Sequence, residues 1–140
     1  MATRDDLIYT AGIVDGEGCI GMDKHRNWST FTPYVSVGNT DPTLIDWLLE
    51  TFGGTVQIFQ QNKRWKIAFR WELTGYASIP FIKAVRPYLK LKGKQADLIL
   101  AFWNIHEKWD VKSGRKSPQG YAKEATVIKE ALAILNKKGN

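Results

Sequence analysis

The chain is predicted to fold as α+β: one four-stranded antiparallel sheet with helices packed on one face. Three observations lead there. Apolar residues recur first with a helical period and then twice with a strand period, and this helix–strand–strand order comes twice before a helical carboxyl-terminal part. Each strand-like run is apolar on one side and polar on the other, as in an antiparallel sheet covered on a single face. No helical stretch separates the two strands of either pair, which argues against a parallel doubly wound sheet.

Thr3-Arg4-Asp5-Asp6 opens the first helix with a hydroxyl cap and a carboxylate three residues on. Leu7, Ile8, Ala11 and Val14 form its apolar stripe, and Gly16 and Gly18 are expected to end it through left-handed backbone. Gly12 costs ~1 kcal/mol relative to alanine inside a helix. With Gly16 one turn later, beside Ala11, it would let a second backbone come very close. Asp15 and Glu17 stand at the negative end of the helix dipole, the unfavourable end for a carboxylate. Such a placement asks for a hydrogen-bond donor or a cation. For Asp15, local hydrogen bonding and helix packing are both open; Glu17, between glycines and freed carbonyls, fits an oxygen-ligand site for a hard cation.

From Cys19 the period becomes two. Ile20 and Met22 share one side, while Cys19, Gly21, Asp23 and His25 share the other. After a turn over Arg26–Ser29, a second run alternates Phe31, Pro33, Val35 and Val37 against Thr32, Tyr34, Ser36 and Gly38. Pro33 points to an irregular or edge position. Asn39-Thr40-Asp41-Pro42 reads as a helix start, with Asn39 as the cap. Leu44 to Phe52 carry that helix to a Gly53-Gly54 stop. Thr55, Gln57 and Phe59 alternate with Val56 and Ile58. Lys66, Ala68, Arg70 and Glu72 alternate with Ile67, Phe69, Trp71 and Leu73. Helices over Ile79–Leu89, Gln95–Trp109 and Tyr121–Leu135 follow, with a basic loop over Lys112–Gly120.

Composition bounds the function. The 140 residues, 44% apolar, amount to about one domain. No long uncharged apolar run or signal-peptide pattern is present, which sets aside a membrane partner. A single cysteine excludes an internal disulfide and fits a reducing, intracellular compartment. The net charge of +6 gains meaning from its placement: Arg64, Lys66 and Arg70 in one stretch, then Lys83, Arg86, Lys90, Lys92 and Lys94 in another. Gly16 to Gly21 spell G-x-G-x-x-G, but a helix precedes and a strand follows, the reverse of the dinucleotide-binding order. His25, His106 and Cys19 lack the spacing of a zinc site and read as ordinary polar positions. Trp47, Trp71 and Trp103 fall on apolar faces and read as core.

Residues Thr10 to Gly18, TAGIVDGEG, resemble the LAGLIDADG motif of the homing endonucleases. The alanine, the glycines, the paired aliphatics, the first aspartate and the closing acid–glycine pair are in register. Thr10 replaces the leading leucine, and Glu17 replaces the second aspartate while keeping a carboxylate. Pro87-Tyr88-Leu89-Lys90-Leu91-Lys92, then Gln95-Ala96, is similar to the family's segment that brings a lysine beside the catalytic metals.

The resemblance implies an αββαββα fold whose saddle-shaped polar sheet face lies on DNA, with residues 1–140 as one such endonuclease domain. It implies a site-specific nuclease that hydrolyses phosphodiesters of both strands across the minor groove of a long pseudo-palindromic duplex target. No small-molecule substrate is implied. One motif without a repeat implies a homodimer, with Ala11, Gly12, Asp15 and Gly16 at the interface. Glu17 and Gly16 would hold Mg2+, with Mn2+ or Ca2+ as alternatives. Lys92 is either the lysine of the catalytic pocket or a solvated helix-end lysine, and Asn39 orders the attacking water, caps a helix, or does both. Asp23, His25, Tyr34, Ser36, Gln57, Lys66, Arg70 and Glu72 would read base edges, with acids accepting from cytosine. Lys112, Arg115 and Lys116 would hold phosphates. Two relatives in function stay open: an intron maturase acting on RNA, and a DNA-binding regulator without catalysis.

Overall fold

A computed structural model describes residues 2–25, 30–60, 64, 66–109 and 119–138. Helix α1 (Arg4–Glu17) leads into strands β1 (Gly18–His25) and β2 (Thr30–Asn39), then helix α2 (Pro42–Phe52). Strands β3 (Thr55–Phe59) and β4 (Ala68–Thr74) follow, then helices α3 (Ser78–Val85), α4 (Gly93–Lys108) and α5 (Gln119–Lys138). The four strands form one antiparallel sheet in the order β1-β2-β4-β3. This is the predicted α+β class.

The capping box forms as its residues suggest: the Asp6 amide donates to Thr3 Oγ1 at 3.1 Å, and the Thr3 amide donates to Asp6 Oδ2 at 2.9 Å. Thr10, buried in the helix's inner face, keeps its hydroxyl satisfied by donating to the Asp6 carbonyl at 2.7 Å. The end of α1 differs from expectation. Gly16 is helical, and Gly18 is extended at φ −97°, ψ 175°, so neither uses left-handed backbone. Gly18 is needed for space: a Cβ there would sit 2.8 Å from Val14 Cα and 3.1 Å from the Ser36 carbonyl. Left-handed-side backbone belongs instead to the end of α2, at Gly53 (φ 77°) and Gly54 (φ 96°), where a Cβ on Gly54 would also strike the Glu72 carbonyl.

Two further boundaries move. The helix expected over Ile79–Leu89 breaks into α3 and a 3-10 turn over Arg86–Tyr88, because Pro87 has no N–H to continue the α-helical ladder. Strand β4 begins at Ala68, so Lys66 precedes the strand rather than projecting from it. Pro33 sits in a central strand, yet the β2–β4 ladder starts only at Tyr34, so at Pro33 the strand has a paired neighbour on the β1 side alone.

Cross-strand partners share a face, so the register sorts the sheet into two sides. Ile20, Val35 and Leu73 form one inner row; Val37, Trp71 and Val56 form the next. Trp71 is fully buried against Phe52 and Phe81, and its indole N–H donates to the Gly53 carbonyl at 2.7 Å. Trp47 and Trp103 are only partly buried, packed against the core from its margin. Helix α5 buries Tyr121, Ala125, Ile128 and Leu132. It lies along β1, where Lys129 Nζ donates to the Met22 carbonyl at 2.8 Å and Asn136 Nδ2 to the Ile20 carbonyl at 3.0 Å. Those two bonds occupy carbonyls that an uncovered sheet edge would offer to another strand.

Substituting Gly18→Ala forces backbone against backbone. It should destabilise the fold by about 1–3 kcal/mol, the range for overpacking a filled site. A urea unfolding curve measures this; an unchanged midpoint would contradict the close approach of α1 and β2.

Candidate active site and nucleic-acid interface

The foot of α1 is held by one carboxylate. Asp15 Oδ2 accepts from the Lys90 amide at 2.7 Å, and Oδ1 accepts from the Leu91 and Lys92 amides at 3.1 and 3.0 Å. Lys92 Nζ then donates to the Asp15 carbonyl at 3.0 Å. The four donors supply the positive potential that a carboxylate against the helix dipole lacks. Of the two readings open for Asp15, hydrogen bonding is the one observed. Both its oxygens are engaged within the chain.

Glu17 is the last residue of α1 and is exposed. Its Oε2 accepts from Asn39 Nδ2 at 3.0 Å, and Asn39 Oδ1 accepts from the Asp41 amide at 2.9 Å. The cap of α2 is Asp41, whose Oδ1 accepts from the Thr43 amide at 2.9 Å. Asn39 is therefore not the helix cap: the turn places it one step back, at the end of β2, where it reaches Glu17. Asn39 bonds Glu17, and Lys92 bonds Asp15 two residues before it, so contacts from distant parts of the sequence reach the foot of α1, with Asp15 as the tie between α1 and the Lys90–Lys92 segment.

Beside them opens a cleft of about 730 Å3 lined by Asp15, Gly16, Arg86, Lys90, Lys92 and Lys94, among others. Arg86 is engaged by Asp97 through paired contacts of 2.7 and 2.9 Å, which lower the Asp97 pKa and raise that of Arg86. The three lysines give the cleft its positive character. No group of three or more His, Cys, Asp or Glu suited to a metal occurs among the described residues. A single chain contributes the Glu17 carboxylate, with no protein partner on Oε1 among the described residues, and the neighbouring Gly16 carbonyl. That donor set fits Mg2+, which commonly takes one or two carboxylates and completes its shell with water and phosphate oxygens.

The outward face of the sheet carries most of the sequence-predicted readers. The register puts Asp23, Tyr34, Ser36, Gln57, Arg70 and Glu72 on this side. Tyr34 lies across its partner Gly21, where a Cβ would come 2.6 Å from the phenol oxygen, and its Oη is 3.7 Å from Cys19 Sγ. Burial, and then the Cys19 contact, push its pKa well above the usual phenol range. Arg70 contacts Glu72 and Ser36 at 3.2 and 3.5 Å. Lys66 lies outside the strand. The His25 side chain and all of Lys112, Arg115 and Lys116 lie outside the described residues. Phe59, a position the sequence reading did not single out, is 44% exposed and shares the outward face with Ala68. Its parity with Thr55 and Gln57 was the available signal; its apolar character hid it.

On the free side of α1, Gly12 and Gly16 are exposed and a Cβ at either meets nothing within 4 Å. Ile8 and Tyr9, 42% and 58% exposed, flank this notch, and Tyr9 packs edge-on against Trp47 at 5.4 Å. Ala11, assigned to the interface from sequence, is instead fully buried in this chain's own core because the helix turns it toward the sheet.

Replacing Asp15 with alanine leaves three amides of the Lys90–Lys92 segment without their acceptor. The expected loss is about 2–3 kcal/mol, typical for hydrogen bonds to a charged group. Hydrogen exchange at those amides should lose protection first; retained protection would show that the carboxylate is not what fixes them.

No protein-family model matches the chain, and no curated protein matches it. Solved structures do. The homing endonuclease I-CvuI in complex with its target in the presence of Ca superimposes with a TM-score of 0.73 at 19% identity, covering 94% of this chain and 82% of that one. The homing endonuclease I-TnaI matches with a TM-score of 0.64 at 16% identity over 99% of both chains. The I-SmaMI LAGLIDADG homing endonuclease bound to cleaved DNA gives 0.68 at 15% identity, over 90% of this chain and 43% of that one. With its strand order, its notched first helix and these superpositions, the chain has the LAGLIDADG homing endonuclease fold.

Proposed function

We propose that the chain, as one domain over residues 1–140, is a site-specific double-strand DNA endonuclease that works as a homodimer with a divalent cation. The observation that carries this reading is the pair of contacts at the foot of α1, Asn39 to Glu17 and Lys92 to Asp15 two residues before it. The similar structure of I-CvuI holds its DNA target with Ca present, which supports the same class of ligand here.

Each residue has a defined part. Glu17 and the Gly16 carbonyl would hold Mg2+, or Mn2+ or Ca2+ in its place. A bound cation of this kind activates water and offsets the charge that builds on a phosphodiester under attack. Asn39, bonded to Glu17 through its amide, would hold that carboxylate and order the water that attacks. The Lys92 ammonium adds fixed positive charge where the pentacovalent phosphate gathers negative charge. One chain holds one such centre, so cutting both strands needs a second copy, joined along the Gly12–Gly16 notch of α1. Lys90 and Lys94 line the same cleft and would hold backbone phosphates.

Two experiments test the reading. Glu17→Gln keeps an oxygen for Asn39 and loses the charge. It should reduce Mg2+-dependent cleavage of a plasmid target library at least about a hundredfold with duplex binding changed little; undiminished cutting would remove Glu17 from the chemistry. That assay also separates an endonuclease from an RNA-directed maturase or a silent regulator. In a salt titration, duplex affinity should fall by about 10^3 or more between 50 and 200 mM, as for six or more phosphate contacts. A flat response would count against DNA as the ligand.

A further inference from the structure

Two outward residues that the sequence would set to read separate bases are tied to one another. Arg70 and Glu72 stand two apart on β4 and therefore on the same side of the sheet. Glu72 Oε2 accepts from Arg70 Nη2 at 3.2 Å. The same nitrogen lies 3.5 Å from Ser36 Oγ, and Ser36 faces Glu72 directly across the β2–β4 ladder. The Glu72 side chain is 21% exposed and that of Arg70 is 40% exposed, so the acid sits lower and the guanidinium rises above it. Across the sheet, Arg70 is flanked by Gln57 on β3 and Gly38 on β2. Gly38 is exposed and has no side chain to screen the guanidinium from that direction.

We infer that Glu72 is a positioning residue: it holds Arg70 so that the guanidinium reads a guanine, and it makes no base contact of its own. The inference rests on the DNA-binding role proposed above. A guanidinium has five N–H donors in a rigid plane and no acceptor. The Glu72 bond uses one Nη2 hydrogen, while those of Nη1 and Nε remain. Guanine presents two acceptors in the major groove, O6 and N7, which suit a fork of donors. A carboxylate already engaged by a cation would have to surrender a charge-assisted bond in order to accept from a cytosine amine. Holding the long arginine side chain before DNA arrives also removes part of the ordering cost of binding. The acid's charge is balanced at the same time, so this part of the face does not repel the phosphates that flank the groove.

The test uses the full chain and selection of bound duplexes from a randomised library, scored base by base, with single-substitution competitors to measure ratios. The unmodified protein should prefer guanine at one position of each half-site by about tenfold or more. Arg70→Ala should erase that preference. Glu72→Ala should reduce it several-fold toward no preference while other positions keep theirs, and Glu72→Gln, which keeps an acceptor oxygen, should retain most of it. A simple loss of stability would weaken all positions together, so the change at one position is specific to aiming. Two results overturn the inference alone: a guanine preference unchanged in Glu72→Ala, or a cytosine preference lost in that variant. A profile without base preference in the unmodified protein would overturn the DNA reading itself, and the inference with it.

Discussion

A carboxylate at the unfavourable end of a helix organises the candidate site. Asp15 accepts three amides from a segment 75 to 77 residues further along the chain, and Lys92 returns a bond to its carbonyl. Without that tie, nothing in α1 alone would set the distance between Glu17 and Lys92. The helix dipole would disfavour Asp15 in isolation, and the converging donors reverse the sign of the local potential. The same contact thus ties two distant parts of the fold and holds Lys92 at the end of α1, where one turn of helix carries two acids with different environments. Asp15 lines the cleft with both carboxylate oxygens bonded; Glu17 is exposed and bonded to Asn39.

The sheet divides the molecule's work by parity. Inner rows built on Ile20, Val35 and Trp71 meet the helices, while the outward side is left polar and available. Even there the side chains are not independent. Tyr34 lies over Gly21, and Arg70 leans on Glu72. A surface of partly immobilised polar groups suits base readout, since such groups lose less freedom on binding than free ones. The two edges of the sheet are treated differently: α5 covers the β1 edge with Lys129 and Asn136, while β3 has only β4 as its partner among the described strands.

Glycine serves three separate ends. Gly53 and Gly54 provide positive φ after α2. Gly18 and Gly21 make room, for the backbone of α1 in one case and for the Tyr34 ring in the other. Gly12 and Gly16 do neither; they leave a notch on the exposed side of α1, where an added Cβ would meet nothing within 4 Å.

Periodicity, caps and glycine stops were enough to read the element order, the antiparallel sheet and its two faces, because those depend on neighbours along the chain. The motif at Thr10–Gly18 also marked Glu17 as a carboxylate with an unusual position. Local pattern could not settle the rest. It made Asn39 a helix cap, but the tertiary fold gave the cap to Asp41 and turned Asn39 toward Glu17. It put Ala11 at a subunit interface, but the rotation of α1 against the sheet buries it. It set Glu72 to read a base, while the structure ties its carboxylate to Arg70, which also reaches Ser36 on the neighbouring strand. The first two turn on where a side chain ends in space relative to residues far away in sequence. The chain alone determined the faces and the charges; only the folded packing decided which of those charges meet.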